Sequence, residues 1–288
     1  LFIFKDDKDS YELFDSIKEN AMPLWTAKTQ QDGKDEILSV AVDDAYKNKH
    51  FKNKAYASSV FLAYRLFTEM GIPSEKIRMR QHMDDEKAFY ADDAWDVEIN
   101  LNTFGWTEVC GIHDRTDYDL MQHAKHSKKE LKALNETKGT KEVPNIIEIA
   151  FGVDRPLFAL LDMFYEKKEK DQGKSLFRVP YHMSPIDVAV FPLVKKGGLK
   201  EKAHEVFESL SKRYIATFDV SGSIGKRYQR VAEQGVPYAI TIDFDTLEKE
   251  DCTIRDRDSE EQKRVPLDKL DDILARLLSG QTSFKDLT

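Results

Sequence analysis

A chain of 288 residues is long enough for two domains, each able to bury a core of its own. An apolar fraction of 41% and an aromatic fraction of 11% exclude a disordered chain, and 44 Lys and Arg against 52 Asp and Glu, a net charge of −8, exclude a globally basic nucleic-acid binder. No apolar run reaches the roughly 20 residues of a membrane span, no signal segment is evident, and two distant cysteines, Cys110 and Cys252, suit reduced thiols in a cytoplasmic protein.

The chain opens on Leu1 with the strand-like run LFIFKDD, as though inside a larger fold. Residues 9–20 fit a short amphipathic helix and 54–70 a longer one, with Ala57, Val60, Phe61, Tyr64, Phe67 and Met70 at helical spacing. KIRMRQH reads as a strand, followed by two strand-like segments over 87–112 around the turn NTFG, a pattern that predicts antiparallel pairing. A helix over 117–134, a polar excursion at NETKGTKEVP, a strand over 145–151 and a helix over 156–168 follow, with Pro156 at the first helical position. The polar run EKKEKDQGKS closes this half.

Beyond about residue 184 the rhythm changes. IDVAVFPLV reads as a strand buried on both faces, followed by helix 199–213, strand 214–220, helix 224–234, strands 237–244 and 252–257, and a helix over 266–279. This alternation predicts an α/β domain with a mainly parallel sheet over 184–288, distinct from an antiparallel, α+β first half over 1–183.

Three clusters could carry chemistry. In NIIEIAFGVDRPLFALL, Arg155 follows Gly152, Val153 and Asp154 at a strand-to-helix junction, where a guanidinium beside open backbone N–H groups suits a phosphate. Pairing with Asp154 or Glu148 to tie down the turn explains the same arginine equally well. In FGWTEVCGIHDRTDYDL, strand alternation places Trp106, Glu108 and Cys110 on one face and then delivers His113, Asp114, Arg115, Asp117 and Asp119 within seven residues. In RMRQHMDDEKAFYADDAWD, Glu86 precedes AFYA and is the acid best placed to read an ammonium in a pocket.

Two weaker patterns point elsewhere. His123 and His126 stand at i, i+3 without a third ligand at a fixed offset, the pattern of surface histidines and not of a metal site. SGSIGKR looks like a phosphate loop, but only two residues separate Gly222 from Gly225 and Arg227 follows Lys226 where Ser or Thr is required. It reads better as a turn opening a basic helix, with Lys226, Arg227 and Arg230 offered to a phosphate backbone.

Taken in order, IRMRQHMDDEKAFYADDAWDVE, FGWTEVCGIHDRTDYDLMQH, IIEIAFGVDRPLFALL, VAVFPLVKKGGLKEKA, SGSIGKRYQRVAEQGVPYAITIDFDT and TIRDRDSEEQKRVPL resemble the homodimeric class II glycyl-tRNA synthetases. The resemblance implies part of an antiparallel catalytic domain over 1–183 and an anticodon-binding domain over 184–288. It also implies ATP, Mg2+, glycine and tRNA(Gly) as ligands, and a homodimer. By that likeness GVDR is the third class II motif: Arg155 meets the γ-phosphate of ATP, Gly152, Val153 and Asp154 lie along the nucleotide, and Glu108 and Val109 form the ATP-binding pair. Glu86, Arg115, Glu148 and Ala150 fall at the positions that hold glycine, with Mg2+ near Glu148.

The departures from the family lie in the same places. Glu148-Ile149-Ala150 stands where the family has Glu-Pro-Ser, so one neutral hydrogen bond to glycine, worth about 0.5–1.5 kcal/mol, is missing. Lys87 and Phe89 replace Met and His, His113 replaces alanine, and the chain contains no Phe-Arg-x-Glu strand of the second motif. These differences set a catalytic reading, glycine-tRNA ligase, against a non-catalytic relative that binds tRNA or another partner.

Overall fold

In this computed structural model, residues 1–168 and 174–287 are described; the centre of the polar run predicted to close the first half, 169–173, lies outside them. Two compact units are formed, Leu1–Met163 and Phe164–Thr288. The division falls before the sequence-derived boundary at 183/184, because the hairpin that follows the first unit packs on a helix of the second.

The first unit begins with β1 (Phe2–Ile3), α1 (Leu13–Ile17), β2 (Ala21–Trp25), α2 (Ala27–Gln31), β3 (Leu38–Ala41) and α3 (Val42–Lys47). Then come α4 (Lys54–Glu69), β4 (Ile77–Gln81), β5 (Asp93–Leu101), β6 (Gly105–Thr116) and α5 (Tyr118–Ser127). The polar excursion forms a small ribbon, β7 (Ala133–Asn135) with β8 (Thr140–Glu142), before β9 (Asn145–Ala150) and α6 (Asp154–Phe164). Seven strands make one sheet in the order β1-β9-β6-β5-β4-β2-β3, and only β2 and β4 run parallel. The antiparallel character predicted from the paired strand segments is therefore present.

One face of this sheet is apolar and one is charged. Ile77, Met79, Trp95, Val97, Ile99, Ile112 and Ile147 are all buried, and helix α4 packs against the strands that carry them. Asn53 caps α4, its Oδ1 accepting from the Tyr56 N–H at 2.8 Å, a contact worth about 1 kcal/mol. Helix α4 is buried around most of its first half, more than a single apolar stripe requires, because α1 and α3 also pack on it. Asp114 on β6 is fully buried; it accepts from Lys8 Nζ at 2.8 Å and from Asn53 Nδ2 at 3.0 Å, and so ties the N-terminal segment and the start of α4 to the sheet.

The predicted alternation along β6 fails at one point. The β5–β6 register shifts after Val97, with Cys110 opposite Val97 but Glu108 opposite Glu98, so Val109 is an extra residue. Trp106 and Glu108 consequently share the charged face with Gly111, His113 and Arg115, whereas Cys110 is turned into the core, where burial pushes its thiol up to about 12.

The second unit comprises the hairpin β10 (Tyr165–Lys168) and β11 (Lys174–Phe177), then β12 (Val188–Pro192), α7 (Leu199–Leu210), β13 (Ala216–Phe218) and α8 (Ile224–Glu233). It continues through β14 (Tyr238–Ile242), α9 (Phe244–Lys249), β15 (Asp251–Asp256), β16 (Gln262–Pro266) and α10 (Leu270–Leu278). Strands order as β13-β12-β14-β15-β16; the first three are parallel, and the last two, of which β16 was not anticipated, add antiparallel pairings. Every residue of β12 is buried: Val188 and Val190 join the cluster containing α7 and α10, and Ala189 and Phe191 join the one containing α8. Gly235, at φ +82°, lies so close to Phe177 and Val179 that a Cβ would meet each at 2.9 Å, so only glycine fits that turn.

Candidate active site

The charged face of the first sheet gathers groups from strands β4, β5, β6 and β9, the loop after β4, and helices α5 and α6. On β4, alternation sets Arg78 and Arg80 opposite Ile77 and Met79, and His82 follows on the same side. Arg80 holds Glu86 through two parallel bonds of 2.8 Å each, and this pairing keeps the Glu86 carboxyl below the usual carboxylate range. Arg78 pairs with Glu98 at 2.6 Å and is stacked between the rings of Trp25 and Trp106, 3.7 and 4.3 Å from their centroids.

On β6 and β9, Arg115 donates to Asp119 at 2.6 Å and to Glu148 at 2.8 Å, and its guanidinium lies over the Tyr90 ring at 4.3 Å. Glu148 also lies 3.6 Å from His113 Nδ1, directly across the β6–β9 register. His82 meets Asp96 at 2.6 Å and packs edge-on against His113 with ring centroids 5.9 Å apart. The Asp96 bond pushes the His82 pKa up, whereas burial pushes that of His113 down. Gly111 makes room for this arrangement, since a Cβ there would lie 2.9 Å from His113 Cε1.

Glu86, Arg115, Glu148 and Ala150 thus lie on strands or loops bordering one face, with Ala150 presenting a methyl opposite Gly111. Beside them, Arg155 on α6 donates to the Glu108 carbonyl at 3.0 Å and lies 3.4 Å from the Glu108 carboxylate. Among the described residues its polar contacts are with Glu108 and not with Asp154 or Glu148, the partners considered from sequence, and 59% of its side chain is exposed. Val153 is 76% exposed, Gly152 has open space where a Cβ would be, and Val109 is buried at the bulge. The face therefore offers a substrate carboxylate one arginine, an ammonium two glutamates, and a polyphosphate a second arginine at the mouth of a helix.

Arg80, His82 and Asp96 belong to the same network and were not singled out in the sequence, whereas Asp119 was named there with Arg115. Alternation in IRMRQH carried the signal for the first two. Asp96 looked like one more acid in an acid-rich run.

The comparisons bear on this arrangement. Residues 187–277 match the anticodon binding domain family. Over 93% of its length the chain is 30% identical to a glycine–tRNA ligase of Methanococcus maripaludis, covering 61% of that protein. It is 31% identical to one of Methanothrix thermoacetophila over 99% of the chain and 62% of the relative, and 42% identical to one of Clostridium perfringens over 75% and 47%. The chain is homologous to the glycine–tRNA ligases. It spans about three-fifths, or less, of the length of these relatives.

Within the unit that carries the anticodon-binding match, the three cations expected to face a phosphate backbone are placed unequally. Arg227 is 3% exposed and donates to the carbonyls of Pro192 at 2.6 Å and Leu193 at 3.2 Å. Arg230 is partly exposed and donates to Asp219 and to the Ser221 carbonyl, and Lys226 is exposed. The amphipathic spacing of α8 turns Arg227 inward, so this position forms part of the fold and only Lys226 and Arg230 border solvent. Among the described residues, no helix is long and apolar enough to cross a membrane.

Proposed function

We propose that the chain contributes the glycine-binding part of an ATP-dependent glycine–tRNA ligase, residues 1–183, and its anticodon-binding domain, residues 184–288, within a cytoplasmic homodimer. The observation that carries the reading is the convergence of Arg115, Glu148 and Glu86 on one sheet face beside the exposed Arg155. Homology to proteins named glycine–tRNA ligases supports the assignment of that face.

The residues suit the ligands. Arg115 can exchange its bond to Glu148 for one to the glycine carboxylate, which frees Glu148 and, with Glu86, leaves two carboxylates for the ammonium. Arg155, with the first-turn N–H groups of α6 that lack helical acceptors, suits the terminal phosphates of ATP, and Glu148 offers oxygen to Mg2+. Bound ATP supplies the electrophilic α-phosphorus at which the glycine carboxylate displaces pyrophosphate. What this chain contributes is positioning and charge stabilisation, with no dedicated acid or base. A non-catalytic relative that retains tRNA binding is the second reading, favoured by Ala150, whose methyl supplies no hydroxyl to glycine.

Glycine-dependent exchange of pyrophosphate into ATP, measured on the full-length protein, tests the proposal. Arg155→Ala is expected to weaken ATP use by about tenfold or more while tRNA binding stays within twofold, the loss of one charge-assisted contact. A folded full-length protein without exchange leaves the second reading standing.

A further inference from the structure

On β6, His113 has four-fifths of its side chain covered, yet its Nδ1 is buried without a hydrogen-bond partner. An unpaired buried nitrogen is destabilising, and packing does not account for it: a leucine has the same branching and no nitrogen to leave unpaired. The ring is fixed in place. It lies against Gly111, where a Cβ would sit 2.9 Å from its Cε1, and His82 meets it edge-on at 5.9 Å.

That fixed Nδ1 lies 3.6 Å from Oε2 of Glu148, the residue directly opposite across the β6–β9 pairing. The gap is too long for a hydrogen bond, and a shift of about 0.7 Å would close it to the usual length. Arg115 holds it open, because its Nη1 donates to the same Oε2 at 2.8 Å. A ligand carboxylate that claims Nη1 strips Glu148 of this donor. The freed carboxylate, one-third exposed on a rotatable stem, would then spread over several rotamers unless a second donor caught it. Nδ1 can be that donor whether the ring is neutral or charged. Its strand neighbours on the same face offer no rival, since Gly111 has no side chain and Ala150, opposite it, has only a methyl.

We propose that His113 is a positioning residue of the amino-acid site: when an α-amino acid binds, the Nδ1–H takes over Glu148 Oε2 from Arg115 and so aims the other carboxylate oxygen at the ligand's ammonium. The inference rests on the amino-acid site proposed above and adds a residue and a sequence of events to it. Engaging the ligand's carboxylate is what delivers Glu148 to the histidine, so the two ends of the ligand are recognised together.

The test is glycine affinity of the full-length protein by titration calorimetry, with the KM values for glycine and ATP measured alongside. His113→Leu keeps the bulk and lacks the donor, and should weaken glycine binding about tenfold while the KM for ATP stays within twofold. His113→Asn places an amide nitrogen as many bonds from Cβ as Nδ1 and should recover most of the loss. In a Glu148→Gln background His113→Leu should add less than twofold, because the two residues act through one contact. Equal losses in the Leu and Asn variants, a full loss in the Glu148→Gln background, or a wild type that takes up no glycine overturns the inference. If circular dichroism shows His113→Leu unfolded, His113→Ala takes its place in the comparison. A wild type that binds glycine, with the Leu and Asn variants ordered as expected, but does not exchange pyrophosphate removes the ligase reading and leaves the positioning role standing.

Discussion

On the charged face of the first sheet, Arg80 and Arg115 are paired with the side-chain carboxylates of Glu86 and Glu148, each about one-third exposed. In the second unit, Arg227 is almost wholly buried and donates to backbone carbonyls that are fixed by the strand β12 and the turn after it. The same side chain is used in opposite ways. A carboxylate on a rotatable stem can swing aside and yield its arginine to an incoming ligand, whereas a carbonyl in a buried backbone cannot. An arginine's partner therefore says more about its role than its position in a basic-looking run.

The largest effect that follows is on stability. Arg227→Met would leave the Pro192 and Leu193 carbonyls without their donor, and is expected to cost about 2–4 kcal/mol in urea unfolding. If that variant is as stable as wild type but binds RNA poorly, Arg227 is a surface ligand after all and the contrast collapses. Arg115→Ala should do the reverse. It should lower glycine-dependent exchange by about 100-fold, the worth of a charge-assisted pair to substrate, while moving stability by less than about 1 kcal/mol, because Glu148 remains solvated. A loss confined to stability would make Arg115 a strut.

Both the charged face and its exceptions trace back to particular residues. The strands over 77–116 and 145–150 were legible because apolar and polar residues alternate along them, and Pro156 correctly marked the first turn of α6, although the helix begins two residues earlier at Asp154. Cys110 was misplaced because a bulge is set by the partner strand's register, which one strand's own alternation does not contain. Strand β16 was missed because QKRVP is largely polar, with Val265 alone buried, and because its pairing with β15, including the Arg264–Asp251 ion pair, joins residues that the sequence does not bring together. Arg227 looked accessible because its inward direction depends on where α8 meets the sheet. The Arg80–Glu86 pair joins residues six apart across a strand end, and neither identity announces the other.

The smallest effect concerns the histidine pair, which refines the contrast within the charged face itself. His82 is bonded to Asp96, so its folded pKa lies above the ordinary value near 6.5; its contribution to stability is present below that value and fades as pH rises through the folded pKa. His113 is depressed chiefly by burial, with a smaller contribution from the charge on His82; its contribution is present above 6.5 and fades as pH falls through the depressed pKa. Between these two values His82 is protonated while His113 is neutral, which leaves His113 an uncharged neighbour of Glu148 and does not compete with an ammonium for that carboxylate. Replacing His82 with Gln removes the nearby positive charge, so the His113 Cε1–H resonance should titrate at a higher pH than in wild type. The acid-side loss of stability linked to His113 should then be smaller and complete at a higher pH, because its onset is set by the unfolded value near 6.5. An unshifted His113 titration in His82→Gln would mean that burial and the remaining charges around it, Glu148 foremost, set its charge and that the two rings, although in contact, are electrostatically independent.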